Sequence, residues 1–79
     1  MATQKEIEEE KRRLRQLRLI VDFTAQMLYQ ADISIPEMLE LVEATKKTVL
    51  HLFPGKEFQF ELIYRPRFNR IIQERLSSN

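Results

Sequence analysis

The stretch from residue 17 to residue 31 constrains the chain most. Leu17, Leu19, Ile20, Val21, Phe23, Ala25, Met27, Leu28, Tyr29 and Ala31 are apolar, and the polar stripe Arg18, Asp22, Gln26 and Gln30 recurs every four residues. Spacing by four reads as helix. A helix this apolar around its circumference needs cover on more than one side. It is therefore expected to be the central helix of a bundle, or to lie in a subunit interface.

The flanking sequence supplies the ends of that helix. Thr3 and Glu6 have capping-box spacing, so each side chain can satisfy the other's backbone donor. Glu6, Glu8, Glu9 and Glu10 then lie near the positive end of the helix dipole. Glu8 with Arg12 and Glu9 with Arg13 stand at i,i+4, where a pair contributes ~0.2–0.5 kcal/mol. Ile7, Leu14, Val21 and Leu28 also repeat every seven residues, although Glu10 and Thr24 interrupt the companion row. Bundle packing accounts for that repeat as well as a coiled coil does. The first helix is expected over about 3–31.

Ser34 and Glu37 form a second capping box, with Pro36 tolerated in the first turn. Ile33 and Met38 occupy the hydrophobic-staple positions around it. A second helix over 34–52 follows, with Met38, Val42, Thr45, Val49 and Leu52 inward and Leu39 and Phe53 flanking. Glu40, Ala44, Lys47 and His51 form its outer face. Phe53-Pro54-Gly55 ends it, because the residue before proline avoids the helical region and glycine permits a left-handed cap. Phe58, Phe60, Leu62 and Tyr64 alternate with other residues as a strand would, but no other segment alternates to pair with them. A short helix from about Lys56 to Ile63 is preferred. Pro66 breaks it, and a last helix to Leu76 turns Phe68, Ile71, Ile72 and Arg75 to one side. Residues 77–79 are expected to fray.

The fold class is therefore all-α: one small bundle of three main helices over residues 1–79, the third segment (56–76) broken at Pro66. At 79 residues, a single core supplies ~3–5 kcal/mol, and small domains often add disulfides, metals or oligomerisation. With no cysteine and one histidine, self-association is the support left to it, the alternative being a helical monomer that packs well alone. A first helix of about 28 residues spans ~42 Å against ~26 Å for about 17 residues in the second. Roughly ten residues of the first helix should project, to lie free, pack on the last helix or meet a second subunit.

Catalysis finds little footing. His51 falls on an outer face beside Lys47, away from any carboxylate that could orient it. Gly55-Lys56 lacks the second glycine and the Ser/Thr of a phosphate-binding loop. Neither a cofactor nor a metal is expected. An acidic start and short apolar runs argue against a leader or a membrane span, and a cytoplasmic location fits the absence of cysteine. The basic clusters are Lys11, Arg12, Arg13, Arg15 and Arg18, and then Arg65, Arg67 and Arg70 among Tyr64 and Phe68.

These features lead to a non-enzymatic interaction module, expected to be a homodimer that also docks a partner protein. Leu17, Ile20, Phe23, Met27 and Leu28 are the candidate contact residues, and Phe23→Asp is expected to dissociate or unfold it. The alternative is a nucleic-acid-binding protein that uses Tyr64, Arg65, Arg67, Phe68 and Arg70 to stack on bases and hold phosphates.

Overall fold

The computed structural model describes residues 3–77. Helix α1 is Gln4–Gln30 and α2 is Ile35–Leu52. A third helix, α3, runs through residues 57–77 as an α-helical start Glu57–Gln59, a π turn Phe60–Tyr64 and a long α-helical part Arg65–Ser77. No strand occurs among the described residues, so the alternation around Phe58–Tyr64 is helical.

Both capping boxes form. The Glu6 amide donates to Thr3 Oγ1 at 3.2 Å, and the Thr3 amide donates to Glu6 Oε2 at 3.3 Å. At α2 the Glu37 amide donates to Ser34 Oγ at 3.3 Å while Ser34 donates through its amide and its hydroxyl to Glu37 Oε1. These contacts satisfy donors that a helix start leaves open. The α1 C-terminus has no basic residue in its last turn. Arg75 of α3 supplies the charge there, donating from Nη1 to the Leu28 and Tyr29 carbonyls at 2.8 and 2.9 Å.

The short link between α1 and α2 makes them antiparallel, and α3 returns alongside α1. The core takes Val21 and Leu28 from α1, Met38, Val42 and Val49 from α2, and Phe60, Phe68, Ile71 and Ile72 from α3. Met38, Val42, Thr45 and Val49 are inward as the pattern predicts; Leu52 is half-buried and Leu39 turns to solvent.

Two local details differ from the pattern. The third helix is broken as expected, into pieces joined by a π turn, but the break does not fall at Pro66 itself. Proline lacks an N–H and its ring crowds the carbonyl four residues back, and the π turn just ahead of it absorbs the misfit. There the Arg65 amide reaches back five residues to the Phe60 carbonyl. Nor does Gly55 take a left-handed cap, since no described residue has positive φ. Phe53, immediately before Pro54, leaves the helix at φ −135° and ψ 78°. The steric demand of Pro54 ends α2 without help from the glycine.

The largest departure concerns α1. Only Val21, Thr24 and Leu28 are buried on it, because two neighbouring helices cover one side of its circumference and, among the described residues, the other is left open. Every residue from Thr3 to Gln16 is exposed, which matches the projection expected from unequal helix lengths. The described chain measures 52 × 21 × 16 Å.

Candidate functional site

The uncovered side of α1 is built from its helical register. At ~100° per residue, Leu19 and Phe23 lie ~150° around the helix from the buried row through Val21, Thr24 and Leu28. Their positions one turn apart make them neighbours. Leu19 is 63% exposed and Phe23 64% exposed. Ile20 and Met27 flank them, each half-buried.

The five candidate contact residues therefore separate. Phe23 faces outward, and Ile20 and Met27 sit at the edge of the open face. Leu17, like Ile20, is half-buried and packs against the core. Leu28 is fully buried and belongs to the chain's own core, so it is withdrawn from the contact surface. Leu19 joins Phe23 on the open face; its i,i+4 relation to Phe23 was the available signal.

A second open surface lies on the projecting part of α1. The seven-residue row Ile7, Leu14, Val21, Leu28 is core in its second half, with Val21 and Leu28 buried, yet Ile7 is 40% and Leu14 51% exposed. The row continues to where its intramolecular cover thins, with Leu14 still bordering Phe53 and Tyr64. The charges around it are also unused. Neither Glu8–Arg12 nor Glu9–Arg13 forms an ion pair; Glu8 instead accepts from Gln4 Nε2 at 3.4 Å. Acidic residues 6–10 and basic residues 11–18 thus face solvent as two blocks on one helix.

The basic and aromatic segment of α3 is arranged differently from what base stacking needs. Phe68 is fully buried, and Tyr64 is half-buried against the core. Phe60 lies 6.0 Å from Tyr64 and 6.2 Å from Phe68, centroid to centroid. The Arg65 guanidinium stands 5.7 Å from the Phe60 centroid, a neighbour that the five-residue spacing of the π turn brings over the ring. Arg65 is also paired with Glu43 at 2.8 Å and with Glu61. Of the five residues in that alternative, Arg67 and Arg70 remain exposed.

Arg65 belongs to a network that ties α2 to α3. Lys46 Nζ lies 2.6 Å from Glu61 and 3.2 Å from Glu57. Hydrogen bonds from Arg65 and then Lys46 pull the Glu61 carboxyl down to about 2. The same carboxylates raise the pKa of Lys46 and of Arg65. At the other end of the bundle, Tyr29 donates to Glu74 at 3.1 Å, which raises the tyrosine's pKa.

His51 is exposed on the outer face of α2, as its spacing indicates. No helix among the described residues is long and apolar enough to cross a membrane, and no group of three or more metal-ligating side chains comes together among them. No family model, curated protein or solved structure matches the chain.

Proposed function

We propose that the chain is a small, non-enzymatic helical interaction module that self-associates and docks a partner protein, both through α1. The observation that carries this reading is the exposure of Phe23 and Leu19 midway along the helix that anchors the core. A large aromatic ring and a leucine held one turn apart in water are an unfilled apolar contact. Helices dock on other helices through residues at this spacing. Burying such side chains contributes ~1.5–3 kcal/mol each, which matters to a core with nine buried apolar residues among those described.

The reading predicts where contact occurs. Amide resonances of isotope-labelled protein, followed as its concentration rises, should shift along α1 and not along the outer face of α2 that holds His51. Resonances unchanged across the range, or shifts confined to α2, would contradict it. The basic segment of α3 gives no comparable support to nucleic-acid binding, because its aromatic rings face inward and Arg65 is engaged by two carboxylates.

A further inference from the structure

The projecting end of α1 is self-complementary, and we infer that two copies of the chain pair there as an antiparallel, two-fold arm. This inference rests on the self-association reading and specifies its geometry. It leaves the Phe23 face to a different protein.

Three features converge on residues 6–15. The apolar row that builds the core runs on through Leu14 and Ile7, which leave 51% and 40% of their surface open. Along the arm, an acidic block precedes a basic one. Among the described residues, the charges of those blocks form no ion pairs. A parallel pairing would oppose glutamate to glutamate and arginine to arginine. An antiparallel pairing centred between Glu10 and Lys11 does the reverse.

That centre also sets the register. Seven residues separate Ile7 from Leu14, so in the antiparallel pair each Ile7 meets the Leu14 of the second copy, twice by symmetry. The helical wheel places Glu6 and Arg13 on one flank of this row and Glu8 and Arg15 on the other. Across the two-fold axis, Glu6 then faces Arg13 and Glu8 faces Arg15, giving four intermolecular pairs. A two-fold contact must be self-complementary, and this segment satisfies the condition in its apolar and charged positions together. Residues 4–18 span only ~22 Å of helix. The arm alone therefore makes a small, reversible contact that salt weakens.

Charge exchange tests the pairing on the full chain by sedimentation equilibrium at low salt. One variant carries Glu6→Arg and Glu8→Arg; the other carries Arg13→Glu and Arg15→Glu. Each alone should dissociate roughly tenfold or more easily than the parent, because exposed pairs become repulsive. An equimolar mixture should recover a dimer, since all four pairs are restored between unlike copies. Circular dichroism melts of each variant establish that both are folded; if either is unfolded, Glu8→Arg with Arg15→Glu as single variants gives the same mixing test. Dimers that persist in both variants, or a mixture that fails to pair, overturn the arm. If Phe23→Asp then abolishes the persisting dimer, self-association stands through the other face. A parent chain that is monomeric throughout overturns both readings.

Discussion

The hydroxyl oxygens of Thr24 and Thr45 lie 2.8 Å apart across the α1–α2 contact, and these are the buried polar residues of an otherwise apolar interior among the described residues. Each hydroxyl also lies within hydrogen-bonding distance of the carbonyl four residues before it, Thr24 to Ile20 at 2.9 Å and Thr45 to Leu41 at 2.8 Å. Two protons serve three contacts, so at any moment one is unfilled.

This arrangement makes the pair tolerant. If Thr24 becomes valine, the Thr45 hydroxyl still donates to the Leu41 carbonyl, and no buried group is orphaned. Thr24→Val, Thr45→Val and the double variant should each unfold within about 1 kcal/mol of the parent. Urea titration reads this directly. A single-variant loss well above 2 kcal/mol would mean that the hydroxyl pair couples the helices far more strongly than its geometry indicates.

Leu28 and Phe23 should respond in opposite ways, although the sequence marks both as apolar positions of one helix. Leu28 is fully buried, so Leu28→Ala removes core atoms and leaves a cavity at ~2–5 kcal/mol. That is comparable to the whole stability expected of so small a core, and the variant should be largely unfolded at room temperature. Phe23→Asp changes an outward side chain and should shift the unfolding free energy of the isolated chain by within ~0.5 kcal/mol. Thermal melts of the two variants separate core from open face; unfolding by Phe23→Asp would place that ring in a contact within the chain.

Gly55 offers a stabilising change. Its φ is not positive, and a Cβ built on it meets nothing within 4 Å. Gly55→Ala therefore restricts the unfolded chain without straining the folded one, a gain of ~0.4–1 kcal/mol. A lower denaturation midpoint for the variant would show that the turn needs glycine after all.

Acid should weaken the link between α2 and α3. The folded-state pKa of Glu61 is depressed to about 2 from an ordinary value of 4.5. A depressed carboxylate stabilises the fold above the unfolded pKa, and that contribution is lost as protons bind down through the folded one. Glu37, lowered by the Ser34 hydroxyl and then its amide, acts in the same direction. Melting temperature should fall between about pH 4.5 and pH 2, and Glu61→Gln should flatten that descent. An equally steep descent in the variant would assign the acid sensitivity to other carboxylates.

What was legible in the sequence followed from local chemistry. Thr3 with Glu6 and Ser34 with Glu37 mark helix starts because a cap is a short-range hydrogen-bonding problem. The inward face of α2 was legible because Met38, Val42, Thr45 and Val49 recur at helical spacing. Gly55 and Pro66 were legible only in part for a shared reason: composition names residues that can bend a chain, while the surrounding backbone decides where and whether they do. At Pro66 one widened turn absorbed the clash. The open face of α1 was the hardest to read. The pattern identifies a helix with more apolar surface than one neighbour can cover, and only the positions of α2 and α3 show that Leu28 is covered and Phe23 is not. The charge pairs expected along the arm were likewise a matter of competing partners, since Glu8 turns to Gln4.

Sedimentation equilibrium of the parent chain, from about 1 to 100 µM at low and high salt, tests the central claim most directly. The account predicts a molar mass that rises from 9.5 kDa toward twice that value at low salt and falls back when salt is added. A mass of one chain at every concentration and both salt levels would contradict it, and would mean that α1 keeps Ile7, Leu14, Leu19 and Phe23 in water as a monomer.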